Sequence, residues 1–101
     1  MIRSELIEAL HNNSKFTLEQ ADVGVKKILD VMTETLSQGQ RIEVRGFGCF
    51  DLRLQKERNA HNPKTGKKLV TERKFSVYFK PGKLLKDRVD ASKESVDIVD
   101  E

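Results

Sequence analysis

Apolar side chains in the first forty residues recur at the spacing of an α-helix. Ile2, Leu6 and Leu10 are four residues apart, which predicts a short amphipathic helix that ends at the polar run 11–14. A wider apolar stripe then predicts a second, longer helix. The stripe comprises Leu18, Ala21, Val25, Ile28, Leu29, Met32 and Leu36.

The second helix has recognisable signals at both ends. Thr17 and Gln20 have the spacing of a capping box, in which the two residues satisfy each other's backbone N–H groups. Gly39 is the expected stop. The apolar stripe between these ends is wide for a helix that covers only one small neighbour, so it favours a dimer interface.

From Arg41 the apolar period changes from helical to alternating. Ile42 and Val44 are expected to point inward, whereas Arg41, Glu43 and Arg45 are expected to point outward. A turn at Gly46-Phe47-Gly48 separates this strand from a second one, in which Phe50, Leu52 and Leu54 alternate with polar residues. Phe75, Val77 and Phe79 alternate in the same way and predict a third strand, which ends at Pro81-Gly82.

The chain between residues 56 and 68 has no alternating pattern. Ala60 is its only aliphatic residue, so the segment has nothing to bury, and it contains five Lys/Arg against one Glu. It is either a disordered surface loop or an arm that stays extended until a polyanion orders it. The hairpin-turn chemistry of residues 62–66, Asn-Pro-Lys-Thr-Gly, favours the arm.

Together these patterns predict one α+β domain. Two helices occupy residues 1–40, a three-stranded antiparallel sheet with an extended β-ribbon arm occupies 41–80, and a short helix occupies 82–90. In a chain of 101 residues, with 37% hydrophobic and 35% charged residues, the core is small. A dimer that shares its core is the expected solution.

Charge is segregated along the chain, although the formal net charge is only +3. Residues 41–88 contain fourteen Lys/Arg against five Asp/Glu, a net charge of +9, whereas residues 1–40 carry −2 and residues 89–101 carry −4. A merely solvated surface more often mixes the two signs. The basic block therefore predicts a polyanionic partner, with nucleic acid as the first candidate.

Other kinds of chemistry have little support. Cys49 is the only cysteine, and no third group is evident that would orient it with His61 for nucleophilic catalysis; it is expected to pack beside the turn. His11 and His61 lack zinc-ligand spacing. With no long apolar run and no secretory leader, we expect a soluble intracellular protein without enzymatic activity, cofactor, metal, membrane contact or small-molecule substrate.

The aromatic residues do not suggest a stacking platform. Phe47, Phe50, Phe75 and Phe79 occupy inward strand or turn positions and are assigned to the core, so only Tyr78 is expected to face outward with the basic residues. Modules that bind single strands stack bases on exposed rings. An RNA- or single-strand-binding module is therefore the weaker alternative.

Three short motifs, taken together, resemble the bacterial HU/IHF family of histone-like proteins in order and spacing. They are Arg45-Gly46-Phe47-Gly48, Asn62-Pro63-Lys64-Thr65-Gly66 and Phe79-Lys80-Pro81-Gly82-Lys83. The resemblance covers residues 1–90. Within the family, residues 41–48 look most like the β-subunit branch of integration host factor, because in HU the position of Arg45 is usually not basic.

The resemblance implies an intertwined dimer whose two β-ribbon arms follow the minor groove of double-stranded DNA. Pro63, at the arm tip, is implied to be a wedge between base pairs, a role that suits a rigid apolar residue without an N–H group. Glu43 is implied to orient Arg45 against the DNA. The implied DNA-binding residues are Arg41, Glu43, Arg45, Arg58, His61, Asn62, Pro63, Lys64, Thr65, Lys67, Lys68, Lys74, Lys80, Lys83 and Lys86.

Four features depart from the usual family pattern. His61 replaces an Arg, which weakens the minor-groove cation at neutral pH and predicts pH-sensitive binding. Ala60 replaces a Gly, and Cys49 replaces a small residue such as Ser or Thr. The acidic tail 91–101 extends beyond the usual end. We expect this tail to be disordered, either solvated or folded back on the basic surface in competition with DNA.

The expected function is architectural DNA bending by a cytoplasmic, nucleoid-associated protein. Two forms of this function stay open. One is site-selective bending like that of integration host factor, in recombination, transcription, replication and nucleoid organisation; the other is sequence-indifferent binding like that of HU. The chain is expected to pair with itself or with a related α subunit.

Overall fold

The structure is a computed structural model in which the chain forms two compact units, Met1–Gln38 and Gly39–Glu101. It describes residues 1–55, 58–61, 68–71 and 74–97, of which 58–61 and 68–71 are described by their backbone alone. The first unit is helical and the second contains the sheet. The predicted α+β fold with a three-stranded antiparallel sheet is confirmed.

The helical unit consists of α1, Arg3–Asn12, and α2, Leu18–Ser37. Its buried core is small and comprises Ile7, Ala21 and Val25. Several other large apolar side chains of α2 are exposed. One copy of this unit therefore leaves much of its apolar surface uncovered.

The helix ends follow the sequence signals closely. The Thr17 hydroxyl accepts a hydrogen bond from the Gln20 N–H at 3.1 Å, and Gln20 Oε1 accepts one from the Thr17 N–H at 3.0 Å, which confirms the capping box. Helix α1 extends past its predicted end to Asn12, because the polar residues that follow bond to its last carbonyls. The Asn13 side chain, for example, donates to the Ala9 carbonyl at 2.8 Å.

The second unit contains five described strands, one α-helix and one short 3-10 helix. They are β1 Ile42–Val44, β2 Gly48–Gln55, β3 Arg58–His61, β4 Lys68–Thr71, β5 Lys74–Pro81, α3 Lys83–Ala91 and the 3-10 helix Ser92–Glu94. The three-stranded sheet has the order β1-β2-β5, and both of its ladders are antiparallel. Strands β3 and β4 pair antiparallel with each other in a separate two-stranded sheet.

The β2–β5 and β3–β4 ladders have the same pairing offset. Strands β2 and β5 pair from Gly48–Pro81 to Gln55–Lys74, and β3 and β4 pair from Arg58–Thr71 to His61–Lys68 at the same offset. Periodicity did not identify β3, because its residues lie in the segment with no apolar alternation. Backbone pairing across a ribbon needs no buried side chains, so this strand has no hydrophobic signal.

Two glycines allow the tight connection between β1 and β2. The Phe47 N–H donates to the Val44 carbonyl at 2.9 Å, and Gly46 has a φ of +85°, as the third position of a type II turn requires. A Cβ on Gly48 would lie 2.6 Å from Phe79 Cζ. Side chains other than hydrogen do not fit there without moving β5.

The C-terminal helix is tied to the same turn. The N–H of Gly82, the N-cap of α3, donates to the Phe47 carbonyl at 2.9 Å. Helical structure then continues to Glu94, beyond the residue at which the disordered tail was expected to begin. The Ser92 hydroxyl donates to the Val89 carbonyl at 2.7 Å, which extends the last turn.

No helix among the described residues is both long enough and apolar enough to span a membrane.

Candidate nucleic-acid interface

The pairing register divides the sheet into a polar and an apolar face. Residues paired across an antiparallel ladder point to the same side, and successive residues alternate. We call one side the polar face. Its residues are Arg41, Glu43, Cys49, Asp51, Arg53, Gln55, Lys74, Ser76, Tyr78 and Lys80.

The opposite, apolar face packs around Phe79. The ring centroid of Phe79 lies 4.8 Å from that of Phe50 and 5.4 Å from that of Phe47. The core assignment of Phe75 is wrong within one copy of the chain, since this side chain is 72% exposed, and Phe47 is still 45% exposed although its ring contacts Phe79. The apolar face runs along the full β2–β5 ladder, and at the end near Phe75 the described residues leave it exposed.

Arg41 is engaged by two neighbours on the polar face. Its Nη2 lies 2.8 Å from Cys49 Sγ, and its Nε lies 3.4 Å from Asp51 Oδ1. The contact with Cys49 and the negative charge of Asp51 raise the pKa of Arg41 above its ordinary value. Cys49 is buried beneath this guanidinium, so the expectation that it packs beside the turn is confirmed.

Glu43 and Arg45 differ from their expected arrangement. Strand β1 ends at Val44, so Arg45 lies in the turn rather than on the strand. Both charged side chains are exposed, and the ion pairs found among the described residues do not include one between them. Both residues line a shallow depression of about 220 Å³ together with Lys80.

The polar face also contains a contact pair, Arg53 and Tyr78, that was not in the set of predicted DNA-binding residues. The guanidinium carbon of Arg53 lies 3.7 Å from the centroid of the Tyr78 ring. Alternation along β2 places Arg53 on the same side as Asp51, which is the signal that could have identified it. The Tyr78 ring faces outward, as expected, and is 42% exposed.

The remaining predicted residues lie in three places. Lys74 and Lys80 are on the polar face, and Lys83 and Lys86 are exposed on α3. Arg58, His61 and Lys68 lie at backbone positions of β3 and β4, and their side chains are outside the description. The predicted residues outside the described part of the chain are Asn62, Pro63, Lys64, Thr65 and Lys67.

The polar face is suited to binding a polyanion. Four cations, Arg41, Arg53, Lys74 and Lys80, share it with the carboxylates of Glu43 and Asp51. Spaced cations on a twisted sheet can contact successive phosphates, while the two carboxylates oppose contacts that are out of place. Within the described residues no group of three or more His, Cys, Asp or Glu is arranged to hold a metal ion.

Comparison with known sequences supports this interpretation. Residues 1–90 match the family described as bacterial DNA-binding protein. The chain is 45% identical to the integration host factor subunit beta of Shewanella pealeana over 92 residues, which is 90% of this chain and 97% of that protein. It is 46% identical to the same subunit of Burkholderia multivorans, over 89% of this chain and 85% of that protein.

Solved structures are similar as well. An Anabaena HU–DNA cocrystal structure superimposes with a TM-score of 0.77 and 32% sequence identity, over 88% of this chain and 97% of that one. A variant HU from Thermotoga maritima has a TM-score of 0.65 and 27% identity, over 88% of this chain and 99% of that one.

Proposed function

Because the chain belongs to the family of bacterial DNA-binding proteins, we propose that it is an architectural protein that binds and bends double-stranded DNA. The observation that carries this proposal is the polar face. It presents Arg53, Lys74 and Lys80 on the same ladder from which the β3–β4 ribbon extends in register. A basic surface and a ribbon arm are the parts that a protein needs to follow and bend a duplex.

The functional unit is a dimer. The two sequence relatives named above are beta subunits of integration host factor, a name that implies a second subunit. The exposed apolar side chains of α2 supply the surface for such a partner. A related α subunit is the partner we propose first, and a second copy of this chain is the alternative.

In the proposed mechanism, one set of residues contacts the phosphates and another contacts the base steps. Lys74, Lys80, Lys83 and Lys86 hold the phosphates of the bent duplex, and the arm enters the minor groove. Pro63 acts as the wedge at the arm tip, where it partly unstacks one base step. The remaining arm residues assist this grip; they are Arg58, His61, Asn62, Lys64, Thr65, Lys67 and Lys68.

The same chemistry supports a site-selective, non-catalytic role in the bacterial nucleoid. An arginine next to the wrapped DNA favours sequences with a narrow minor groove, where the potential is most negative. We assign this role to Arg45, which lies in the turn after β1. HU-like binding without sequence preference is the alternative. We propose that the protein acts in the cytoplasm on chromosomal DNA, without a cofactor.

Energy transfer on a doubly end-labelled duplex tests the proposal. Binding and bending bring the ends together, so transfer efficiency should rise on titration with the protein. Single-stranded DNA and RNA of the same length serve as competitors. A complex that forms on the duplex without a change in transfer efficiency, or that single strands displace at equal concentration, would contradict the proposal.

A further inference from the structure

Arg53 and Tyr78 form a stacked pair on the polar face. Arg53 in β2 is opposite Ser76, and Tyr78 in β5 is opposite Asp51, so the stacked residues are diagonal neighbours across the ladder. The guanidinium carbon lies 3.7 Å from the ring centroid. This distance places the cation in direct contact with the face of the ring, which is the geometry of a cation–π interaction.

The guanidinium carbon lies too close to the ring centroid for an N–H group to point at the ring between them, so the guanidinium contacts the ring with its face rather than with its donors. Arginine has five N–H donors in the plane of the group, and none of them is consumed when the plane lies on an aromatic ring. Both side chains are exposed, Tyr78 by 42%. The pair therefore presents a planar set of donors in a defined orientation on the polar face.

Among the described residues, Arg53 is in none of the ion pairs and is the cation nearest the middle of the β2–β5 ladder. Lys80 and Lys74 lie near the two ends of β5 on the same face. Arg41, at the same end as Lys80, is already engaged by Asp51 and Cys49. Arg53 lies between these positions, and its stacked partner is neutral.

We propose that Tyr78 is a positioning residue for DNA binding, whose ring holds the Arg53 guanidinium in the orientation that contacts the sugar–phosphate backbone. The inference rests on the proposed DNA-binding function. Arg53 makes the contact, and Tyr78 acts through it. A long side chain that is already held loses less conformational freedom on binding, so the ring increases affinity without touching the DNA.

Four variants test this inference by the salt dependence of duplex affinity. Arg53→Ala should lower affinity by about tenfold and reduce the salt slope by about one unit, as the loss of one phosphate contact requires. Tyr78→Leu should lower affinity by about threefold. Tyr78→Phe retains the ring and should stay within about twofold of the original protein. In the Arg53→Ala background, Tyr78→Leu should have no further effect.

The double variant separates positioning from a purely structural role. If Tyr78→Leu lowers affinity equally with and without Arg53, the ring does not act through the guanidinium and the inference is wrong. The inference is also wrong if Tyr78→Leu binds duplex like the original protein, even if this variant unfolds more easily. Circular dichroism at the assay temperature confirms that each variant is folded.

Lys15→Ala is the matched control for charge. Lys15 is an exposed cation of the helical unit and is not part of the polar face, so its removal lowers the net charge by the same amount as Arg53→Ala. The duplex affinity of Lys15→Ala should have the same salt dependence as that of the original protein. Failure of the DNA-binding function itself gives a different result, because the original protein would then not bind or bend the duplex.

Discussion

Arg41 and Asp51 form an ion pair on the polar face, with Arg41 Nε 3.4 Å from Asp51 Oδ1. Arg41 directly precedes β1 and Asp51 lies in β2, and the Arg41 guanidinium also covers the thiol of Cys49. If the polar face binds phosphates as proposed, a carboxylate in its middle opposes binding in two ways. It repels the phosphates, and it occupies one of the cations that would otherwise meet them.

Asp51→Asn should therefore strengthen DNA binding. We expect affinity for random-sequence duplex to rise by about two- to fivefold at low salt and by less at high salt, where exposed charges are screened. Fluorescence anisotropy titrations at the two salt concentrations measure the change. Asp22→Asn is the control, since Asp22 is also an exposed carboxylate in an ion pair, with Lys26 in α2. If Asp51→Asn and Asp22→Asn raise the duplex affinity equally, the effect is one of net charge alone.

The apolar surface of the helical unit predicts that folding depends on protein concentration. A groove of about 890 Å³ between the helices is lined by exposed apolar residues of α2, including Val23, Ile28 and Val31. A partner that covers this groove binds only the folded chain, so the melting temperature should rise with concentration. Thermal melts over a hundredfold concentration range measure this. A midpoint that stays constant over that range would indicate a stable monomer.

Pro63 and Lys64 should have separable effects on DNA. If Pro63 is the wedge, Pro63→Ala should reduce the bend more than it reduces affinity, because the phosphate contacts stay in place. Lys64→Ala should leave the bend of the complex largely intact and lower the salt slope by about one unit. End-to-end energy transfer and a salt series measure the two quantities. If Pro63→Ala leaves the bend unchanged, the arm contacts the phosphates only and Pro63 is not a wedge.

Arg45 and Glu43 decide between selective and indifferent binding. Arg45→Ala should lower affinity for a preferred site by about 1–3 kcal/mol and leave random-sequence binding nearly unchanged. Glu43→Ala should relax selectivity, because the carboxylate no longer opposes phosphates near Arg45. Competition between a selected site and random duplex measures both. Equal losses on the two duplexes would identify the protein as HU-like in function.

The turn before β2 should tolerate a methyl group at one glycine better than at the other. Gly46→Ala places a side chain at a φ of +85° but meets no atom closer than 3.6 Å, so it should cost about 1–2 kcal/mol. Gly48→Ala brings a methyl group to 2.7 Å from the Lys80 carbonyl oxygen as well as against Phe79, and should cost about 2–3 kcal/mol or more. Urea unfolding compares the two variants, and the reverse order would contradict the packing argument.

Local signals were sufficient for most of the described elements. The capping box of α2 and the turn at Gly46 depend on residues close together in sequence, and both form as expected. Alternation identified β1, β2 and β5 because one face of each strand is apolar. Where burial does not determine the strand, as in β3, the pattern is absent although the backbone pairs.

The polar face could be predicted only in part, because it depends on register. The Arg53–Tyr78 stack joins residues 25 positions apart, and nothing in the neighbourhood of either residue indicates its partner. The contact of Arg41 with Cys49 likewise needs the β1–β2 pairing. The exposure of Phe75 has a different cause, since periodicity reports which face is apolar but not whether one copy of the chain covers it.

The common offset of the β2–β5 and β3–β4 ladders restricts how such an arm can change in evolution. Deleting one residue from a single strand moves every later side chain of that strand to the opposite face of the ribbon. Removing one residue from each strand at paired positions shortens the arm and leaves the register of the remaining pairs intact. Viable length variants of this protein are therefore expected to differ by matched pairs of insertions or deletions, one on each side of the arm tip.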